Sequence, residues 1–464
     1  MSSSLAAKFE DIYPLTPFQQ GVLFHVLDAP DAGMYLNQQR YTLRGDLHLA
    51  AFKQALEGVV SRHQILRTAF LLSGLDGPHQ IVYRQARLPW AMFDWSELPS
   101  AESSARMQAF LRSDYQQGFD LKRVPLNRMT LLHTGHDMYE FVWSFHLLLM
   151  DGWSMQVMLK DLLTLYHSIR TGQTVELETP LPYREFIKWQ QRQPQDQAEA
   201  YWRNVLKGFT TPTPLVFDKT PPAGIAVRPD FKEKNVVLDE ETTNSLRLFG
   251  NKYHLTLNTL IQGAWALLLS RRSGTDDVLF GNAVSGRSAA IPKIDSAVGL
   301  FVNVLPVRVI VPPAARVIDW LNGLQKQQVE EMRYEFCSLA SIHRWSDVPR
   351  DQPFFDSVIV FQNYPGGVAV PESAGIEVVN VEVIERSNVP LALVPNPAPQ
   401  LALKIVYMGS RFEDATIDRI LENLSRILTE LPANAGAALA SISYQVDTER
   451  QLLIDSFNQS LASL

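Results

Sequence analysis

Hydrophobic and polar residues change their spacing along the chain, and the changes mark out elements. From Met138 to His146 the period is two: Tyr139, Phe141, Trp143 and Phe145 share one face, Glu140, Val142, Ser144 and His146 the other. That is the mark of a strand. Beyond Gly152 the period lengthens, with Met158, Leu162, Leu165 and Ile169 on one stripe, so a helix follows. Asp151 and Gly152 therefore occupy the strand-to-helix connection, and Ser154 is placed to cap the first turn.

The same reading predicts helices over 17–27 and 49–63, and strands over 35–43, 67–72 and 127–133. The last of these should join 138–146 through a Thr134-Gly135 turn. A Pro- and Gln-rich stretch over 181–197 and a Pro- and Thr-rich one over 210–229 bracket a helix at 199–206 and mark a lobe boundary. In the second half, strands are predicted over 234–238, 278–284, 301–311, 356–362, 376–383, 391–394 and 401–407. Helices are predicted there over 240–252, 256–271, 317–334 and 414–431. Two successions of similar length and order, without a residue-level repeat, imply a duplicated architecture.

At 464 residues the chain exceeds what one hydrophobic core usually supports, and 46% hydrophobic with 20% charged residues is a globular composition. A net charge of −7 argues against a general nucleic-acid binder, which needs a basic footprint. The local pair Arg271 and Arg272 could still meet an acidic protein partner. With Cys337 alone no intrachain disulfide forms, and a reducing compartment fits. The apolar part of the N-terminus is too short for a secretory signal, and no apolar run is of membrane-spanning length. A cytoplasmic location with no membrane partner is expected.

Loops held between a rigid strand and a helix favour chemistry, which makes His146, Asp151 and Gly152 candidates; the alternative is a hydrogen-bonded structural pair. His133-Thr-Gly-His136 has metal-ligand spacing but falls in a predicted turn with no further Cys or His to support it. Phosphate cradles, Gly-x-Ser-x-Gly elbows and His-Glu-x-x-His helices are absent, so neither a metal nor a bound cofactor is expected. Gly281 to Arg287 carries glycines without nucleotide spacing and reads as a mobile or close-packed loop. Arg62-His-Gln-Ile-Leu-Arg67 ends a helix and enters a strand. Its cations either serve the helix dipole, or Arg67 pairs with Asp151 in a charge-assisted fork.

Eight segments taken in order resemble the condensation domains of nonribosomal peptide synthetases. They are Tyr13 to Gly21, Arg62 to Phe70, Ser144 to Ser154, Tyr201-Trp202, Gly281 to Arg287, Val298 to Pro306, Tyr334 to Trp345 and Val360 to Pro365. The resemblance implies a mixed α/β fold of the α+β sandwich type, with two chloramphenicol-acetyltransferase-like lobes forming a V-shaped pseudo-dimer. The lobes would be residues 1–180 and 181–440, with 281–299 flooring a substrate passage and 366–395 crossing back onto the first lobe. Residues 441–464 would be a linker toward an adenylation domain. Trp153, Ser285, Asn303, Asn363 and Tyr364 would line the passage. A monomer is expected, working with donor and acceptor peptidyl carrier proteins whose phosphopantetheine arms bear the substrates, and transferring an acyl group to an amine. The alternatives are a starter domain that acylates the first amino acid with a fatty acyl group from acyl-coenzyme A, and a non-catalytic docking platform for carriers.

One departure stands out. The family motif is His-His-x-x-x-Asp-Gly, and counting back from Asp151 and Gly152 puts His146 first and Leu147 second. The resemblance implies a catalytic histidine at the second position. Ser144 and Trp153-Ser154 keep their family distance from Asp151, so a substitution is the simpler account than an insertion. Leucine has no lone pair for a proton, and a positioned base typically contributes about 10²–10⁴ in rate. The expectation is a chain that folds and binds but condenses poorly.

Overall fold

The alternating run Met138–His146 is a strand, residue for residue, in the computed structural model. The structure describes residues 8–28, 35–73, 76–87, 89–215, 218–219, 230–288, 290–362, 375–384 and 389–444. Asn363, Tyr364, residues 366–374 and 385–388 of the expected crossover and residues 445–464 of the expected linker lie outside them.

Met138–His146 is the middle strand of a five-stranded sheet ordered Ile376–Ile384, Leu36–Gly45, Met138–His146, Asn127–Gly135 and Trp90–Asp94. Neighbours are antiparallel except the last pair, which is parallel. Its aromatic face packs Phe141, Trp143 and Phe145 into a core with Phe52, Leu56 and Val59 of the helix Leu49–Arg62 and Met158 and Leu162 of the helix Gly152–Thr171. The two helices come close where Gly58 faces Leu165, with room for a Cβ only 3.1 Å from its methyl.

The other face looks polar in sequence but is covered. The helix Ser100–Gln117 lays Met107 and Leu111 against Leu132 and Val142. Its Asp114 accepts from the Ser144 hydroxyl, from Gln38 Nε2 (2.7 Å) and from Arg128 Nε (2.7 Å). Paired charge on both sides lets a polar strand face be buried.

A second sheet of three antiparallel strands, Phe9–Pro14, His79–Tyr83 and Thr68–Leu71, belongs to the same compact unit. So do Ser285–Val302 and the strand Ile376–Ile384, which come from far along the chain.

The other unit begins at Pro194 and is built on a six-stranded sheet. Its order is Asn303–Ile310, Asp277–Val284, Ser357–Ile359, Leu391–Asn396, Ala402–Met408 and Phe231–Val237. The helix Leu257–Ser273 is buried without a break from Thr259 to Ser270, the behaviour of a helix apolar all round. It packs with Glu240–Tyr253, Val317–Glu331 and Asp414–Ala433. Gly281, read as part of a loop, lies inside the strand Asp277–Val284, where a Cβ would come within 2.6 Å of the Phe355 ring.

Both units are mixed α/β, as expected. The differences have local causes. The hairpin turn sits at His136-Asp137, not Thr134-Gly135, because a register shift after His133 lets Gly135 pair with Met138. The predicted strand 301–311 begins at Asn303 because the Phe301 and Val302 amides turn to Asp151 instead of a neighbouring strand. Sequence periodicity missed Ser100–Gln117, of which only Met107, Leu111 and Asp114 are buried. It also missed Tyr183–Gln191, whose buried Tyr183, Phe186 and Ile187 have helical spacing within a Pro- and Gln-rich stretch. The strands Phe9–Pro14, His79–Tyr83 and Trp90–Asp94 and the helix Leu339–Trp345 are short elements bounded by irregular chain. No helix among the described residues is long and apolar enough to cross a membrane.

Candidate active site

The strand Met138–His146 runs out between two neighbours that hold its end: His146 N donates to Leu126 O (3.1 Å) and Leu147 N to Tyr35 O (2.8 Å). Two overlapping turns follow, closed by Leu149 N to His146 O (3.0 Å) and Met150 N to Leu147 O (3.1 Å). Leu148, Leu149 and Met150 are buried, as are Phe145 before and Asp151 after. Leu147 alone in this run stays partly exposed while resting on the core. The fold thus leaves position 147 the least buried of the run from Phe145 to Asp151.

His146 is only 5% exposed, and its Nδ1 accepts from Leu148 N at 3.1 Å. That bond needs an unprotonated Nδ1, so the ring proton sits on Nε2. Burial pulls its pKa down to about 4, which keeps the imidazole neutral. His146 therefore ties the turn together, and its Nδ1 lone pair is already in use.

Asp151 opens the helix Gly152–Thr171. Asp151, not Ser154, is its N-cap: Oδ1 accepts from Ser154 N at 2.8 Å and from Ser154 Oγ at 2.8 Å. Sequence reasoning chose the wrong residue because Ser154 sits three residues inside, on the receiving side of the cap. Oδ2 of Asp151 accepts from Phe301 N (3.0 Å) and Val302 N (3.3 Å). Gly152 is the first helical residue and is half-buried.

The cation facing Asp151 is Arg287, with Nη2 at 3.3 Å from Oδ1. Arg287 also donates to Ser154 Oγ (3.0 Å), Ile294 O (2.6 Å) and Ala297 O (3.0 Å), and lies 4.2 Å from the Phe301 ring centroid. One guanidinium thus fastens the segment Ser285–Val302 to the loop. Ser154 Oγ accepts from Gly299 N (3.1 Å), and Asp151 N donates to Gly299 O (3.2 Å). Gly299 has to be glycine, since a Cβ there would stand 2.2 Å from the Tyr183 ring.

The expected Arg67–Asp151 pair does not form. Arg67 ends a short 3₁₀ turn, Gln64–Arg67, and binds Glu10 Oε2 at 2.7 Å, with the carbonyls of Val60, Ser61 and Tyr83. It closes the end of the helix Leu49–Arg62 and joins it to the three-stranded sheet. Arg287 was the missed residue; its signal is a lone cation in the otherwise uncharged run Gly281 to Pro292.

Of the other predicted residues, Trp153 is partly buried and donates Nε1 to Asp295 O (2.9 Å). Ser285 Oγ accepts from Arg287 N (3.2 Å). Asn303 is committed internally: Nδ2 donates to Glu335 O (2.7 Å) and Cys337 O (2.6 Å), and Oδ1 accepts from Val304 N (2.9 Å). His133 stacks on Tyr139 at 4.7 Å, and no group of three metal-capable side chains gathers among the described residues.

Comparison with known proteins follows the same outline. A family model described as Condensation domain matches residues 9–454. A linear gramicidin synthase of Brevibacillus parabrevis is 40% identical over 450 residues, which cover 97% of this chain and 9% of that protein. Bacitracin synthase 3 of Bacillus licheniformis is 31% identical, with 98% of this chain and 7% of that protein covered. The chain therefore spans about a tenth or less of the length of these relatives. Among solved structures, the starter condensation domain of rhizomide synthetase, a mutant in complex with C8-CoA, superposes with a TM-score of 0.79 at 20% identity, over 95% of this chain and 99% of that one. The first condensation domain of the calcium-dependent antibiotic synthetase, in complex with a substrate analogue, gives 0.78 at 17% identity, over 94% of this chain and all of that one. With its motif loop, its fold and a family match over nearly its whole length, the chain belongs to the condensation domain family.

Proposed function

We propose that this chain is the amide-forming acyltransfer domain of a nonribosomal peptide synthetase, with its chemistry impaired at Leu147. A donor acyl or peptidyl group and an aminoacyl acceptor would each arrive as a thioester on the phosphopantetheine arm of a carrier protein. An adenylation domain of the same synthetase would load the acceptor. In the step, the acceptor nitrogen bonds to the donor carbonyl carbon, the carbon–sulfur bond breaks with its electron pair going to sulfur, and the nitrogen gives up a proton. A base beside the nitrogen would take that proton and return it to the leaving thiolate.

The observation that carries this reading is the presentation of position 147. Its neighbours from Phe145 to Asp151 are buried, and it alone in that run is only partly buried. A leucine there can pack but cannot accept a proton. His146 cannot replace the missing base, because its Nδ1 is bonded to Leu148 N and burial holds its basicity low. Holding two tethered reactants together still supplies rate, so a residual reaction is expected.

Amide formation with loaded donor and acceptor carriers, read by mass spectrometry, tests the proposal on this chain and on Leu147→His. The expected gain is about 10²–10⁴ in kcat. If the chain with Leu147 already turns over as fast as the histidine variant, the role given to position 147 is wrong. If the variant yields no product with any loaded pair, a carrier-docking platform replaces the enzyme reading.

A further inference from the structure

The helix Pro17–Asp28 starts with Thr16-Pro-Phe-Gln19, the spacing of a capping box. Both reciprocal bonds form: Gln19 N donates to Thr16 Oγ1 (3.2 Å), and Thr16 N donates to Gln19 Oε1 (2.9 Å). A glutamate would serve that purpose equally well. Here the other half of the amide does something a carboxylate cannot. Gln19 Nε2 donates to Leu148 O at 2.7 Å, 129 residues away, inside the turn that carries position 147.

The amide is also held from behind. Gln19 Nε2 donates to Gln80 Oε1 (3.1 Å), Gln80 Nε2 returns a bond to Gln19 Oε1 (2.9 Å), and Gln80 Nε2 reaches Pro14 O (3.3 Å). Gln19 and Gln80 are both fully buried. Two donors and two acceptor lone pairs are all a primary amide has, and Gln19 uses every one. A buried network satisfied in full has one arrangement, and so imposes one on what it touches.

What it touches is the turn. The N–H groups from His146 to Asp151 are bonded on other sides, to Leu126 O, Tyr35 O, His146 Nδ1, His146 O, Leu147 O and Gly299 O. Gln19 fixes the carbonyl of Leu148, which shares a peptide neighbour with position 147. We infer that Gln19, braced by Gln80, is a positioning residue that sets the direction of the side chain at position 147, an inference that rests on the acyl-transfer reading above.

The test uses the Leu147→His background. Gln19→Glu keeps the capping-box acceptor but loses the donors to Leu148 O and Gln80. It should lower kcat by about 10–100-fold with KM within about threefold, since a misplacement near 1 Å costs on that order. Thr16→Ala removes the cap and leaves the tether; it should lower the melting temperature while kcat stays within about threefold. Parallel losses of kcat in the two variants that track melting would overturn the inference, as would an unchanged kcat in Gln19→Glu. If Gln19→Glu does not fold, Gln80→Met, which removes the brace, should lower kcat with KM held; unchanged kcat overturns the inference. If Leu147→His itself gives no product, the acyl-transfer reading fails separately. The ring resonances of the imidazole introduced at 147 then decide: moved by Gln19→Glu and not by Thr16→Ala, they support positioning; unmoved by either, they refute it.

Discussion

Replacing Asp151 by asparagine changes one atom type and should unsettle the whole loop. The Asp151 side chain is 8% exposed, and its carboxylate accepts from Ser154 N, Ser154 Oγ, Arg287 Nη2, Phe301 N and Val302 N. An amide offers one acceptor oxygen. Whichever way it is turned, its NH₂ faces either the Ser154 and Arg287 donors or the pair from Phe301 and Val302. At least two buried donors lose their acceptor, at about 1–3 kcal/mol each. Breaking a buried ion pair on one side alone typically costs about 3–5 kcal/mol, and the Arg287 side chain is 2% exposed. These are two descriptions of one loss, so about 3–5 kcal/mol is expected in all. A unit of this size melts about 2–4 °C lower per kcal/mol, which gives a fall of roughly 6–20 °C. Calorimetry and urea unfolding of Asp151→Asn, Arg287→Met and Asp151→Asn/Arg287→Met measure it without any need for activity. The double variant should be less unstable than the sum of the single changes by about 1–3 kcal/mol. Strict additivity, or an Asp151→Asn chain within about 1 kcal/mol of the parent, would refute the assignment of Arg287 as the partner.

Two buried groups should give opposite pH slopes. His146 has a folded pKa of about 4, below its ordinary 6.5, so the unfolded chain binds more protons between those values. Its contribution is present above pH 6.5 and is lost as pH falls toward 4, about 3 kcal/mol in all; unfolding of His146→Phe should lack that slope. Burial raises Glu331 from 4.5 to about 7, so the folded chain holds the proton longer and stability falls as pH rises across that interval. Glu331→Gln should remove this loss, and a urea midpoint that still falls from pH 5 to 7 as in the parent would speak against it. Arg67→Ala should cost about 1–3 kcal/mol through the carbonyls it leaves unpaired, whereas Glu10→Gln, about a third exposed, should cost under about 1 kcal/mol. Equal effects on melting would show that the ion pair, not the carbonyl closure, holds Arg67.

Periodicity alone located the strand 138–146 and the helix after Gly152; the family motif, counted back from Asp151, singled out the leucine at position 147. These are readable because the period of a strand or helix is local, set by which side chains must leave water together. The choice between structural and chemical roles for His146 was not local. It depended on the Leu148 amide folding back onto Nδ1 and on the burial that withdraws the ring from water. That the polar face of the same strand is buried was not legible either, because the helix Ser100–Gln117 that covers it, with Asp114 on Ser144, is too weakly patterned to be seen.

Which cation meets Asp151 was decided only in three dimensions. Arg67 and Arg287 carry the same charge, and nothing local tells which of them reaches Asp151. The fold gave Arg67 to Glu10 and brought Arg287 across 136 residues to Asp151. Gln19 is the same case: its capping box is legible in four residues, but its bond to Leu148 O is not. Local sequence fixes what a side chain can donate or accept, while the partner it finds is set by which segments the packed cores force together.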